Sequence, residues 1–161
     1  MHFSQKIQAY YQKKKGDSCK MQEIELLTSC FQITQMGRDA VMQLIKIAED
    51  PKFRKALENQ LTEYQNIFDK AQEMLNALGA TPKEISAMAK MAASTSTKMK
   101  TLGDKTASNM AELMIEGNTM GIIEITKSLH RCDQVDQDVL DFANHLLDVQ
   151  RKNVDEMTTF L

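Results

Sequence analysis

An unbroken apolar stripe between residues 53 and 78 is the feature that most constrains the fold of this chain. Its members recur at every third or fourth position, which places them on one face of an α-helix. Asp50 and Pro51 precede the stripe as an N-cap and a first-turn proline, and Gly79 follows it as a C-cap residue. The segment is therefore predicted to be a helix that buries one side, through Phe53, Leu57, Leu61, Tyr64, Phe68, Ala71, Leu75 and Leu78.

Other segments have comparable apolar faces, and the composition supports helices throughout. Two prolines, six glycines and no tryptophan among 161 residues fit a helical protein better than a sheet with many turns. As one helix, residues 84–131 would be about 70 Å long, against about 40 Å for the others, so a break is expected at Gly103. The predicted helices cover about residues 20–48, 51–78, 84–101, 107–131 and 134–160.

The lengths of the connections predict the topology of this bundle. Only a few residues link the first two long helices, and only a few link the last two, so each pair is expected to be antiparallel. The helix over residues 84–101 would be about 27 Å long and can carry the chain from one end of the bundle to the other. The predicted fold is all-α, a ferritin-like four-helix bundle with a short extra crossover helix between the second and third long helices. Cys19 and Cys132 would then share an end, whereas up-down packing would place them at opposite ends.

Two stretches of the chain also resemble a known group of proteins. They are residues 57–81, LENQLTEYQNIFDKAQEMLNALGAT, and residues 110–127, MAELMIEGNTMGIIEITK. These resemble small ferritin-like four-helix-bundle proteins of unassigned function from spore-forming Gram-positive bacteria. The resemblance covers about residues 20–161 and leaves residues 1–18 outside. It implies a bacterial protein with a ferritin-like fold, and it implies no activity, because it includes no catalytic motif.

Charge and cysteine content exclude several classes of partner and location. Lys and Arg total 20 against 22 for Asp and Glu, a net charge of -2, so no overall positive field favours nucleic acid. No apolar run approaches the roughly 18 residues that span a bilayer, and the N-terminus lacks the apolar core of a signal peptide. The three cysteines form no Cys-x-x-Cys pair, which indicates reduced thiols. We therefore expect a cytoplasmic protein that binds neither nucleic acid nor membrane.

The sequence contains no complete catalytic or cofactor motif. A ferritin-like di-iron centre needs converging carboxylates and, in its usual form, Glu-x-x-His on two helices, and this chain has no Glu-x-x-His. Iron could bind here only in a centre whose protein ligands are all carboxylates. The nucleophile elbow, the phosphate-binding P-loop and the dinucleotide fingerprint are also missing. We therefore predict a protein that is not an enzyme and has no cofactor.

One set of charged side chains is predicted to be buried. Glu124 falls inside the apolar face of the 107–131 helix, and Arg38 has a similar position on the first helix. The crossover topology would place Arg38 level with Glu112 or Glu116, and up-down packing would place it level with Glu124. The candidate site is thus a buried polar cluster of Arg38, Glu112, Glu116 and Glu124, which acts either as an ion-pair network or as a ligand or metal site.

The 107–131 helix also carries two glycines one turn apart. Gly117 and Gly121 form a face of small residues, which permits close packing against a neighbouring helix. Close packing predicts that a leucine at either position destabilises the protein.

Residues 1–18 have a composition different from that of the rest of the chain. Ile7, Tyr10 and Tyr11 are followed by Lys13-Lys14-Lys15-Gly16, which predicts a basic N-terminal tail or short helix. A break at Gly16 would separate it from a helical bundle domain at residues 19–161. The tail is either a docking arm for an acidic partner or another subunit, or a frayed extension.

The sequence thus favours a non-catalytic interaction or structural protein. We expect it to self-associate as a homodimer or to bind another helical protein. The alternative is a degenerate ferritin-like protein that binds a metal or a small ligand.

Overall fold

The computed structural model describes residues 2–82 and 103–161, and these residues form a bundle of four α-helices. Within the two described ranges there is no β-strand, so the predicted all-α class is confirmed. In the same ranges no helix is both long and apolar enough to cross a membrane. The helices are α1 (His2–Ile45), α2 (Pro51–Ala77), α3 (Ala107–Arg131) and α4 (Gln137–Thr158).

Helix α2 begins and ends where its sequence predicts. The Asp50 side chain accepts a hydrogen bond of 2.7 Å from the Phe53 amide, and Pro51 occupies the first turn. Beyond Ala77, Gly79 has a φ of 72°, the left-handed conformation that favours glycine at a helix C-terminus. Both ends of α2 are therefore determined by local side-chain and backbone chemistry.

Helix α3 also begins as predicted, just after Gly103. The Thr106 side chain accepts a hydrogen bond from the Asn109 amide, and the Asp104 carboxylate accepts one from the Thr106 amide. These contacts satisfy amide groups that have no partner within the first turn. The short helix predicted at residues 84–101 lies outside the described residues.

Helix α1 is continuous over 44 residues, so the predicted break at Gly16 is wrong. One glycine inside a helix costs only about 1 kcal/mol relative to alanine, and the surrounding lysines and glutamines favour the helix. The expected boundary between residues 18 and 19 therefore falls inside α1. At 1.5 Å per residue α1 is about 66 Å long and α2 about 40 Å, so α1 extends well beyond its partner.

The contacts at the two ends of the bundle define the helix directions. At one end the Phe53 and Phe160 rings pack edge to face with centroids 5.1 Å apart, which brings the start of α2 to the end of α4. At the other end Gln22 of α1 contacts Asp133 in the α3–α4 loop. Helices α1 and α4 thus run in one direction, and α2 and α3 run in the other. Helix α2 ends beside the α3–α4 loop, whereas α3 begins at the opposite end.

The apolar core forms two clusters, one towards each end of the bundle. The first lies near the α3–α4 loop and includes Leu26, Leu27, Cys30, Ile67, Leu75, Ile125, Ala143 and Leu146. The second lies near the α1–α2 loop and includes Val41, Leu44, Phe53, Leu57, Tyr64, Met110, Met114 and Met157.

Candidate functional site

Tyr64, Asn118 and Asn153 form a buried group that we call the polar layer. The Tyr64 hydroxyl donates a 2.6 Å hydrogen bond to Asn118 Oδ1 and accepts one of 3.2 Å from Asn153 Nδ2. Asn118 Nδ2 in turn donates to the backbone carbonyl of Met114. Each of the three side chains belongs to a different helix, and all three are buried. The polar layer therefore joins α2, α3 and α4 through specific hydrogen bonds.

The groups of the polar layer are electrically neutral. Burial raises the pKa of Tyr64 to about 12, although the hydrogen bond from Asn153 acts in the opposite direction. The phenol is therefore protonated at physiological pH, and its partners are carboxamides. Such groups donate and accept hydrogen bonds, but they do not supply the anionic oxygen ligands that iron or magnesium prefers.

Two glycines allow other helices to approach this region closely. A Cβ atom at Gly37 of α1 would lie 2.7 Å from the ζ carbon of Tyr64, and one at Gly121 of α3 would clash with Gln150 Oε1. The prediction of close packing is therefore correct for Gly121. It is wrong for Gly117, which is exposed and has no atom of the described residues within 4 Å of an added Cβ.

Three carboxamide oxygens near the polar layer are buried without a hydrogen-bond partner in the described part of the chain. They are Gln60 Oε1, Gln150 Oε1 and Asn153 Oδ1. The Gln60 amide nitrogen does have a partner, since it donates to Glu156 Oε2 at 2.8 Å. Buried acceptors of this kind are costly when they have no partner, and an ordered water or a small polar molecule would satisfy them.

The structure does not bring the predicted cluster of charged residues together. The Arg38 guanidinium lies 4.1 Å from the centroid of the Phe68 ring and 3.3 Å from the Asp39 carboxylate. Glu124 is half-buried and pairs with Lys127 at 3.5 Å. The two remaining members, Glu112 and Glu116, are exposed. The predicted burial of these two carboxylates is therefore wrong.

The buried face of α3 explains this difference. That face contains small and polar residues, which a pattern based on large apolar side chains does not count. The predicted buried face was centred on the large apolar side chains of Leu113 and Met120. That choice includes Glu124 in the face and leaves Asn118 out of it. Asn118, a polar residue one helical turn after the apolar Met114, was the sequence feature that could have predicted the polar layer. The buried residues of α3 are Met110, Ala111, Met114, Asn118, Gly121, Ile125 and Ser128.

A second polar group connects α1 to the α3–α4 loop. Gln22 accepts hydrogen bonds from the Asp133 and Gln134 amides and donates one to the Asp133 carboxylate. Glu23, only 4% exposed, accepts a 2.9 Å hydrogen bond from the Asp136 amide just before α4. A carboxylate at a helix N-terminus is stabilised by the helix dipole. These contacts fix the loop against the side of α1.

Three side chains at this end have the chemistry of a cation site. Ligand atoms of Cys19, Glu23 and Asp136 all lie within 4.8 Å of one another. The Cys19 thiol lies 3.7 Å from Glu23 Oε1, which also accepts the Asp136 amide. A cavity of about 370 Å³ borders the group, and Lys15 lines it too. Since the capping of α4 already accounts for Glu23, this arrangement has a structural explanation.

The three cysteines are free thiols, and the structure places them near the same half of the bundle. Cys19 lies beside Glu23, and the Cys132 sulfur lies 4.0 Å from the backbone carbonyl of Gln22, so these two share the α3–α4 end. Burial raises the pKa of Cys19 and of Cys132. Cys30 is fully buried in the core, and this burial raises its pKa to about 12. None of the three is an activated thiolate.

The buried thiol of Cys30 should make the protein less stable in alkaline solution. Its pKa rises from an ordinary 9.0 to about 12, so above pH 9 the unfolded chain loses a proton that the folded chain keeps. Stability is therefore complete below pH 9 and falls as the pH rises towards 12. We expect a loss of about 2 kcal/mol between pH 8 and 10.5, measured by urea unfolding. Cys30→Ala should reduce this slope and leave the smaller part that Tyr64, whose pKa is also raised to about 12, contributes above pH 10; an unchanged slope would contradict the assignment.

The first part of α1 carries a second apolar face, separate from the one in the core. Residues 5–18, which we call the projecting segment, are all exposed. Ile7, Tyr10, Tyr11 and, just beyond, Met21 are 40, 63, 66 and 64% exposed. At 100° per residue these four side chains lie roughly opposite the side of α1 that enters the core. The projecting segment thus has an apolar face directed away from its own bundle.

No model of a known protein family and no curated protein matches this chain.

Proposed function

We propose that this protein is a non-catalytic interaction bundle that self-associates as a homodimer through the projecting segment. The observation that carries the proposal is the outward apolar face of that segment. Of the eight exposed large apolar side chains in the described ranges, four belong to the projecting segment or to the adjoining turn of α1. Apolar patches of this kind mark interaction sites in soluble proteins.

The scarcity of tertiary contacts along the segment, within the described residues, supports a partner for it. The segment extends a helix that is already formed, so no new nucleation is needed, but packing supplies most helical stability and terminal turns that make few tertiary contacts are the first to open. A contact that covers Ile7, Tyr10 and Tyr11 would remove about 25 cal/mol per Å² of apolar surface from water. Such a contact would stabilise the helix and the assembly together.

The topology and the polar layer support the remaining parts of the proposal. A ferritin-like bundle with a crossover helix at residues 84–101 is supported because α2 ends and α3 begins at opposite ends of the bundle. The absence of catalysis is supported by the neutral side chains of the polar layer, which occupies the region where a di-iron protein needs carboxylates. A cytoplasmic location is supported by the three free thiols. The resemblance to bacterial ferritin-like proteins fits the same proposal.

Sedimentation equilibrium of the 161-residue protein tests the proposal. We expect twice the chain mass of 18.3 kDa, and the double variant Tyr10→Ser/Tyr11→Ser should weaken the dimer at least about 10-fold. Met42→Ser is the matched control, because Met42 is an exposed apolar residue elsewhere on α1. A wild-type monomer at 100 µM, or equal weakening by the control, would overturn the proposal.

A second candidate function is the binding of a small polar ligand or cation in the bundle. It is favoured by the three buried oxygens of Gln60, Gln150 and Asn153, which lack a hydrogen-bond partner within residues 2–82 and 103–161. Metal analysis of the purified protein and thermal melts with added Na⁺, K⁺, Mg²⁺ and Zn²⁺ test it. A raised melting temperature that Gln150→Leu abolishes would support this candidate, and no shift with any ion would count against a cation.

A further inference from the structure

Resting on the proposed function, we infer that the projecting segment of one copy docks on the acidic first half of α4 in a second copy. The contact is reciprocal, so each dimer contains two identical docking sites. The partner is a second copy of the chain, the surface is the first half of its α4, and opposite charge selects this contact.

The acidic surface is formed by α4 and the loop before it. Residues 132–150 contain five aspartates and no lysine or arginine. Asp138, Asp141 and Asp148 follow one another at helical spacing on the outer side of α4, and all three are exposed, with Asp148 also 3.7 Å from the Arg151 guanidinium. We call these three residues the acidic face.

The projecting segment has the complementary charge. Lys6, Lys13, Lys14 and Lys15 against Asp17 give it a net charge of +3. Since the whole chain carries -2, the remaining residues carry -5, and much of that charge lies in residues 132–150. The segment is about 21 Å long and the acidic face about 15 Å, so one can cover the other. Opposite charge on matched surfaces speeds association and selects the partner.

The placement of the two surfaces permits a closed two-fold dimer. The projecting segment leaves the bundle at the end where α4 begins, next to the α3–α4 loop. If two copies face each other at this end, each segment passes along the first half of the other copy's α4, so both contacts form at once.

Two charge-reversal variants test the docking. The first is Lys6→Glu/Lys13→Glu/Lys14→Glu, and the second is Asp138→Lys/Asp141→Lys/Asp148→Lys. When either variant pairs with itself, the segment and the α4 surface have the same charge in both contacts of the dimer. We therefore expect the dimer Kd of either variant to rise about 100-fold. Mixed together, they should form a heterodimer, because both of its contacts are complementary again. Sedimentation equilibrium of the separate and mixed proteins measures this, with circular dichroism as a check on folding.

Glu112→Lys/Asp155→Lys is the matched control, since it reverses two exposed carboxylates away from the acidic face. We expect it to dimerise like the wild type. Dimers that survive both reversals, or a mixture that stays monomeric, would overturn the docking while the wild-type dimer still supports self-association. A wild-type monomer would overturn both proposals. Binding of the wild-type monomer to vesicles with anionic lipids would identify a membrane surface as the partner of the segment instead.

Discussion

Replacing Gly37 with alanine is expected to destabilise the protein by about 2–4 kcal/mol. The new methyl group would lie 2.7 Å from the ζ carbon of Tyr64, the carbon that carries the hydroxyl. The ring cannot move away freely, because its hydroxyl is bonded to Asn118 and Asn153. Overpacking costs about 1–3 kcal/mol, and breaking the hydrogen bonds adds a similar amount. The higher helix propensity of alanine offsets about 1 kcal/mol.

Gly16→Ala is the control for this prediction, because Gly16 lies in the same helix with nothing within 4 Å of the added methyl group. There the substitution should be neutral or stabilise by up to about 1 kcal/mol. Urea unfolding followed by circular dichroism measures both variants. Equal stability of the two alanine variants would show that α1 does not approach Tyr64 as closely as described.

Tyr64→Phe should lower the free energy of unfolding by about 2–4 kcal/mol, although it removes a single oxygen atom. Without the hydroxyl, Asn118 Oδ1 loses its donor and Asn153 Nδ2 loses its acceptor. Each buried group left without a partner costs about 1–3 kcal/mol. Thermal and urea unfolding of the variant measure the change.

Tyr10→Phe makes the same chemical change at a site that is 63% exposed, and we expect a change in folding stability within about 0.5 kcal/mol. A Tyr64→Phe variant as stable as wild type would mean that water replaces the hydroxyl. The effects of Gly37→Ala and Tyr64→Phe should also be less than additive, because both disrupt the same hydrogen bonds.

Local chemistry made the helix boundaries predictable. The ends of α2 depend on Asp50, Pro51 and Gly79, and the start of α3 depends on Thr106, all of which act on amides or carbonyls within a few residues. The break after the basic segment was predicted from its different composition, and it is wrong. Glycine permits a helix to end but does not require it to, and no proline follows Gly16.

The candidate site was harder to predict because it depends on tertiary packing. Tyr64 was assigned correctly to the buried face of α2, but its partners Asn118 and Asn153 are polar and were not counted as core residues. Glu112 and Glu116 were included because the crossover topology places them level with Arg38, and a height along the bundle does not determine the direction in which a side chain points. Which direction faces the core depends on the neighbouring helices, and here small residues such as Gly121 define it.

The polar layer also fixes the register between the two halves of the protein. Helices α1 and α2 form one antiparallel hairpin and α3 and α4 form the other, and the bonds of Tyr64 cross from the first hairpin to the second. Sliding one hairpin by a single turn, about 5.4 Å, would leave apolar contacts available but would separate Tyr64 from both asparagines. Apolar surfaces tolerate such slippage, and a single buried polar match does not. The Tyr64 hydroxyl thus distinguishes the native alignment of the hairpins from its nearest alternatives.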